Sequence, residues 1–347
     1  MTTAAAWVVV VAMLHVSAAW VGAAGQALVP GVMIFGDSVV DAGNNNRLPT
    51  LVRADFPPYG RDFPSTHGAP TGRFCNGKLA TDYTVDNLGL STYPPAYLGQ
   101  EAQSDNHSLL HGANFASGAS GYLDATAALY SAIPLSRQLD YFREFKTKVG
   151  SVAGGKKAAA LTSESIYVVS AGTSDYVQNY YVNPMLAAAY TPEQFADVLM
   201  QPFTTFIQGL YGLGARRIGV TSLPPMGCLP ASVTLFGGGS NGGCVERLNN
   251  DSRIFNTKLE AASDAIRKQH SDLKLVVFDI YNPLFDLSRR ACCGTGTIET
   301  SVLCNQGAVG TCANATGYVF WDGFHPTDAA NKVLADALLL QGLQLIS

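Results

Sequence analysis

The segment that decides the fold is Val32-Met33-Ile34-Phe35-Gly36-Asp37-Ser38. Its four consecutive apolar residues are typical of a short strand that is buried on both faces. The glycine permits a tight exit from that strand, and a serine then lies just beyond the carboxyl end. Because ligands bind at the carboxyl ends of strands in open α/β sheets, the segment predicts both a strand and a candidate functional serine.

Outward from this segment, apolar runs alternate with amphipathic ones. Further strands are predicted at 113–116, 166–170, 217–221 and 275–278, and helices at 135–145, 192–213, 245–270 and 327–345. The glycine-rich stretches 150–155 and 236–243 are interpreted as surface loops. Strands that alternate with helices predict the α/β class, with one mainly parallel five-stranded sheet covered on both faces.

Composition excludes several classes of protein. The 347 residues carry 22 Lys+Arg against 26 Asp+Glu, 47% hydrophobic and only 14% charged residues, so neither disorder nor a basic nucleic-acid surface is expected. Past the N-terminus no uninterrupted apolar stretch reaches the roughly 18 residues that a spanning helix needs. Nothing in the sequence indicates an oligomeric state.

The first 25 residues form a separate unit. Residues 4–24 are almost wholly apolar, His15 is their only ionisable side chain, and small residues follow at 22–25. This pattern predicts a cleavable secretory signal at 1–25, although no Lys or Arg precedes Arg47 and a retained membrane anchor is the alternative. After cleavage we expect a secreted protein without stable membrane insertion.

Acceptor triplets for N-glycosylation begin at Asn106, Asn250 and Asn314, and they support export. Seven cysteines point the same way: Cys75, Cys228, Cys244, Cys292, Cys293, Cys304 and Cys312. In an exported chain they predict disulfides that staple long loops. The alternative is zinc, which the absence of a CxxC pair disfavours. The odd number leaves at least one thiol unpaired, Cys75 is the most isolated, and the connectivity stays open.

A possible partner for Ser38 lies at the other end of the chain. Asp322 precedes His325 by three residues, just ahead of the last predicted helix. One turn of chain can bring the carboxylate onto Nδ1 of the imidazole, which leaves Nε2 free to take a proton from a serine. The alternatives are that Ser38 is only a helix cap and that the Asp-His pair only closes a turn.

Several blocks of the sequence resemble the plant GDSL esterase/lipases of the SGNH hydrolase superfamily. The similar blocks are 35–46, 57–60, 70–77, 112–121, 223–230, 292–294 and 320–327. The resemblance implies one flavodoxin-like three-layer α/β/α domain over 28–347 that hydrolyses esters without a metal or cofactor. It implies Ser38 as nucleophile, Asp322 and His325 as acid and base, and the N–H groups of Gly118 and Ser38 as oxyanion donors.

The chain departs from the family pattern at one position. The third block usually reads Gly, a small residue, Asn, Asp, whereas this chain has Gly172-Thr173-Ser174-Asp175. Ser174 therefore occupies the place of an amide that donates to the oxyanion. Its hydroxyl can also donate but is shorter, so we expect reduced but real activity.

The sequence supports a secreted serine esterase or lipase, located in the extracellular space, cell wall or apoplast. Its substrate would be a small-molecule, lipid or polysaccharide ester, such as an acetylated cell-wall polysaccharide, and no nucleic-acid partner is expected. One alternative is an acyltransferase on the same fold with an alcohol as acceptor. The other is a low-activity binding protein, which only Ser174 suggests.

Overall fold

A computed structural model describes residues 27–237, 243–285 and 290–347. Its sheet has the order β2-β1-β3-β4-β5, and every neighbouring pair is parallel. The strands are β1 Val32–Gly36, β2 Gly112–Asn114, β3 Ile166–Ser170, β4 Arg217–Thr221 and β5 Lys274–Phe278. The predicted signal segment, 1–25, lies outside the described residues.

The α-helices of the described residues alternate with these strands. They are α1 Ala80–Asn87, α2 Gln100–Ser104, α3 Asp124–Ala128, α4 Leu135–Ala153, α5 Gly155–Glu164, α6 Pro184–Ala189, α7 Pro192–Gly212, α8 Pro230–Phe236, α9 Glu246–Gln269, α10 Tyr281–Phe285 and α11 Asp328–Ile346. α7, α9 and α11 match the predicted helices to within one residue at each end, whereas α4 begins as predicted and continues eight residues past the predicted end. Thr191 and Thr327 cap α7 and α11 with their side chains, which explains why both helices begin where the sequence predicts.

The side chains of β1 alternate between two separate apolar cores. Met33 and Phe35 belong to a core that includes residues of α4, α7 and α9, while Val32 and Ile34 belong to a core that includes residues of α1 and α11. Because successive side chains of a strand point to opposite faces, the sheet lies between two helical layers. The predicted three-layer α/β/α fold with a five-stranded sheet is confirmed.

Some local predictions differ from the structure. The stretch 150–155 is mostly helical, since α4 continues to Ala153 and α5 begins at Gly155, with only Gly154 between them at φ 79°. The residues after Ser38 form a turn, so no helix that Ser38 could cap begins there, and a 3₁₀ turn follows at Asn44–Arg47. Asp41 explains this turn, because its Oδ1 accepts the N–H groups of Gly43 and Asn44.

Six of the seven cysteines form disulfides, as the sequence predicts. The pairs are Cys228–Cys244, Cys292–Cys312 and Cys293–Cys304, and Cys75 is a buried free thiol. These sulfurs are therefore not available to a zinc ion. Within 27–237, 243–285 and 290–347, no helix has both the length and the apolar character that crossing a membrane requires.

Candidate active site

Ser38 lies two residues beyond the end of β1, and a glycine makes its position possible. Gly36 has φ 134°, and a Cβ at this residue would lie 1.9 Å from the carbonyl oxygen of Ser170 in the next strand. The side chain of Gln138 in α4 holds the same glycine from the other side, because its Oε1 accepts the Gly36 N–H and its Nε2 donates to the Gly36 carbonyl, both at 2.9 Å. The backbone at Gly36, where the chain leaves β1, is therefore held in a fixed conformation.

Ser38, His325 and Asp322 form a continuous line of hydrogen bonds. The distance between Ser38 Oγ and His325 Nε2 is 2.7 Å, and His325 Nδ1 lies 2.8 Å from both carboxylate oxygens of Asp322. Asp322 is completely buried, and its Oδ1 also accepts the N–H groups of Phe324 and His325. The predicted residues from the two ends of the chain thus meet at the carboxyl ends of the strands.

A serine, an imidazole and a carboxylate that are hydrogen-bonded in this order can activate the serine as a nucleophile. The carboxylate holds the proton on Nδ1, which leaves Nε2 unprotonated and directed at the serine hydroxyl. The imidazole can then accept the serine proton as the oxygen attacks an electrophile, and the buried carboxylate stabilises the resulting imidazolium. Phe74 packs against the imidazole with ring centroids 5.1 Å apart, which limits the rotation of the ring.

The disulfide-rich loop supports the segment that carries the histidine. The N–H of Cys292 donates to the Phe320 carbonyl at 3.0 Å, and the N–H of Cys293 donates to the Trp321 carbonyl at 2.7 Å. Both cysteines are in disulfides, so their backbone is held in place. The two disulfides therefore lie directly beside the segment whose His325 must stay aligned with Ser38.

Tyr59 is a site residue that sequence reasoning missed. Its hydroxyl donates to Asp322 Oδ2 at 2.6 Å and accepts the N–H of Ser301 at 2.8 Å. Burial, and then the charge of Asp322, raise the pKa of Tyr59 above its usual range, so the phenol stays a donor. In the sequence, Tyr59 is marked only by its place in the family-like block 57–60, and nothing in that block indicates a chemical role.

The predicted oxyanion donors differ in whether they line the cleft and in whether they are already hydrogen-bonded. The Ser38 N–H has no acceptor among the described residues, and Ser174 lines the same cleft as Ser38 and His325 with its hydroxyl unpaired. The Gly118 N–H instead donates to Asp41 Oδ2 at 3.0 Å, and Gly118 does not line this cleft. A substrate oxygen would have to displace that carboxylate to reach the Gly118 N–H, and the role of Gly118 stays a prediction.

The predicted glycosylation residues occupy different settings. Asn314 is exposed in a loop, Asn250 is exposed on α9, and Asn106 is half-buried in a 3₁₀ turn. In the part of the chain that the structure describes, no group of three or more His, Cys, Asp or Glu side chains is arranged to hold a metal ion.

Three aspartates around the site are completely buried. Burial raises the pKa of Asp37 from 3.8 to about 7, and it raises the pKa values of Asp41 and Asp175 to about 6. Asp175 accepts hydrogen bonds from the N–H groups of Tyr122 and Leu123 and from the Thr126 hydroxyl. The last residue of the 172–175 block therefore anchors the loop that follows β2.

These raised pKa values predict that the protein is more stable in mild acid than in mild base. A carboxyl whose pKa is higher in the folded chain than in the unfolded chain adds stability that is complete below about pH 4 and is lost as the pH rises through the folded value. We expect the Tm to fall from pH 5 to pH 8, and to fall less in Asp37→Asn, whose side-chain oxygen can still accept the Val39 N–H. Circular dichroism melts at both pH values measure this.

The matched control for that experiment is Asp336→Asn on the exposed side of α11. It should keep the pH dependence of the unaltered protein. A Tm that rises between pH 5 and pH 8, or an Asp37→Asn variant with the full pH dependence, would contradict the assignment.

The fold and the site together define a three-layer α/β protein whose serine, imidazole and carboxylate are hydrogen-bonded in the order that serine hydrolases use. Comparison with known proteins identifies the family to which this α/β protein belongs. The chain belongs to the GDSL-like lipase/acylhydrolase family, whose model matches residues 32–338. This is a family of ester hydrolases, so the predicted family and enzyme class are confirmed.

Similar proteins come from Arabidopsis thaliana. The chain is 59% identical over 334 residues to GDSL esterase/lipase At5g03810, covering 93% of this chain and 94% of that protein. It is 58% identical over 331 residues to GDSL esterase/lipase APG, covering 92% of each. The similarity therefore extends over nearly the full length of both relatives.

Proposed function

We propose that this protein is a secreted serine esterase that hydrolyses carboxylic esters through an acyl-enzyme on Ser38. The observation that carries the proposal is the 2.7 Å contact between Ser38 Oγ and His325 Nε2, with Asp322 directly behind the imidazole. The family contributes the reaction class, because its members are named as lipases and acylhydrolases. The geometry of these three side chains supports the proposed mechanism.

In the first half of the reaction Ser38 attacks the ester carbonyl while His325 takes the hydroxyl proton. The tetrahedral oxyanion would be stabilised by the Ser38 N–H and the Ser174 hydroxyl. His325 then gives its proton to the departing alcohol, and the acyl group stays on Ser38. In the second half water attacks the acyl-enzyme with His325 again as base, which releases the acid and restores the serine.

Export and processing belong to the same proposal. We infer that residues 1–25 are removed as a signal, that 28–347 fold as one domain, and that Asn106, Asn250 and Asn314 are glycosylation candidates. Three disulfides support an oxidising compartment, because such bonds are rare in the cytosol. An extracellular enzyme would meet cell-wall polysaccharide esters and lipid-like esters as the two candidate substrate classes.

The proposal is tested with p-nitrophenyl esters of increasing acyl length and the purified secreted protein. We expect steady-state hydrolysis on at least part of the series, and loss of the rate in mild acid because His325 must be neutral to act as base. Absence of hydrolysis across the series would contradict the esterase. A rate that does not change between about pH 5 and pH 8 would remove His325 as the base.

Ser174 provides a separate prediction. Removal of a full oxyanion donor lowers turnover by on the order of 10²–10³-fold, and the short serine hydroxyl is a weaker donor than the family amide. We expect Ser174→Asn to raise kcat and Ser174→Ala to lower it by up to about 10²-fold, measured on p-nitrophenyl butyrate. If Ser174→Ala leaves kcat unchanged, Ser174 has no part in the oxyanion hole.

A further inference from the structure

The site has a deep interior as well as an open cleft. A cavity of about 370 Å³ is lined by Ser38 and His325 and also by Leu345 and Ile346 at the far end of α11. Its volume is within the range of small-molecule binding sites, roughly 300–1,000 Å³. A ligand part that enters beside Ser38 can therefore continue into the molecule.

The deep part of this cavity, which we call the channel, runs between α1, α11 and one face of the sheet. It is lined by Leu88 at the carboxyl end of α1, Ile166 and Val168 of β3, Phe278 of β5, and Leu338 and Gly342 of α11. These β3 residues share one face of their strand, since side chains alternate. Among the described residues that line the cavity, Asp37 is the only Asp, Glu, Lys or Arg, and it lies at the mouth next to Ser38. The polar lining residues on α1 and α11 are Thr81, Thr84, Asn87 and Asn331, so the channel is mostly apolar.

Small residues explain why space remains between well-formed layers. The helix faces that line the cavity carry Ala80 on α1 and Ala335 and Gly342 on α11. A Cβ built at Gly342 would have only one neighbour within 4 Å, the Cζ of Phe278 at 4.0 Å. Helices with larger side chains at these positions would fill the channel.

We propose that the channel binds the acyl chain of a long-chain ester, with the alcohol part in the open cleft. This inference rests on the proposed esterase function. An acyl-enzyme keeps its acyl group while the alcohol leaves and water enters, so the enclosed space suits the part that remains attached to Ser38. Apolar walls without charges favour methylene groups over a sugar, whose hydroxyls would be left unpaired there.

The helix geometry sets the length of chain that fits. From Asn331 to Gly342, both of which line the cavity, α11 advances about 16 Å at ~1.5 Å per residue. An extended acyl chain with ~1.5 Å bonds advances roughly 1.3 Å per carbon, so a path of that length holds about 12 carbons. The proposed substrates are therefore esters of long fatty acids rather than acetates.

Gly342→Leu tests the channel. Gly342 is inside a helix, where replacement of glycine favours folding, and the new side chain would point into open space. Each methylene that loses its apolar contact is worth about fourfold in binding. We expect kcat/KM for p-nitrophenyl laurate and palmitate to fall at least tenfold, while the values for acetate and butyrate stay within twofold.

Two further variants complete the experiment. Ala337→Leu adds the same bulk on the exposed side of α11 and should leave the whole acyl series unchanged. Ala335→Leu, nearer to the site, should shorten the longest accepted chain further. If Gly342→Leu hydrolyses laurate as well as the unaltered protein does, or if that protein prefers acetate, the channel proposal is wrong while the esterase stands. Absence of hydrolysis on every ester would overturn the esterase and this proposal together.

Discussion

Ser38→Ala is expected to lower kcat on every ester by about 10⁴- to 10⁶-fold, a larger loss than we expect from Asp322→Asn or Ser174→Ala. Without Oγ no acyl-enzyme can form, and only the oxyanion donors and substrate binding remain to accelerate attack by water. The Oγ atom makes its hydrogen bond to His325 Nε2, and both side chains line the open cleft, where a water molecule can take the place of Oγ. The fold and the Tm should therefore change little.

A suitable control for Ser38→Ala is Ser165→Ala. Ser165 is buried whereas Ser38 is half-buried, its hydroxyl has no hydrogen-bond partner among the described residues, and it directly precedes the amino end of β3, away from the site. This variant should retain the full rate. Ser38→Ala with more than about one per cent of the normal kcat would remove Ser38 as nucleophile, since loss of a nucleophile is far more severe.

The second largest effect is expected for Asp322→Asn, about 10⁴-fold in kcat with little change in KM. The amide has the size of the carboxylate, and its one oxygen can accept either the Tyr59 hydroxyl or the N–H groups of Phe324 and His325, but not both. Its NH₂ group would face His325 Nδ1, which favours the tautomer that has no free Nε2 lone pair for the serine proton. The negative charge that stabilises the imidazolium is lost as well.

Tyr59→Phe provides the comparison for Asp322→Asn. Without the Tyr59 hydroxyl, Asp322 keeps its charge and both of its oxygens stay 2.8 Å from His325 Nδ1, so removal of that hydroxyl should reduce kcat much less, and the pH dependence of the rate should change. Kinetics over a range of pH values separate the two variants. An Asp322→Asn variant that stays within tenfold of normal kcat would show that the carboxylate does not orient the base.

Local signals explain why much of the fold was predictable. Each strand is a short apolar run, and the caps Thr191 and Thr327 mark helix starts in the sequence itself. Ser38 was predicted because it follows the first strand, and the pair Asp322 and His325 because they are three residues apart. Their contact with Ser38 across 287 residues was inferred from the chemistry of the groups and from the family blocks.

The residues that escaped prediction act through contacts between distant parts of the chain. Tyr59 and Asp322 are 263 residues apart, Gln138 and Gly36 are 102 apart, and Asp41 and Gly118 are 77 apart. No periodicity or spacing in the sequence identifies the contact partner of any of these side chains. The same holds for the channel, which exists because small residues on two separate helices line a cavity against one face of the sheet.

Covalent labelling of the active-site serine tests the central claim most directly. The secreted protein would be incubated with a fluorophosphonate, digested, and analysed by mass spectrometry, with Ser38→Ala treated in parallel. We expect one adduct per chain, on the peptide that contains Ser38, loss of hydrolysis in step with labelling, and no adduct in the variant. Inactivation with the label on a different residue, or full activity in a protein labelled at Ser38, would contradict Ser38 as the nucleophile.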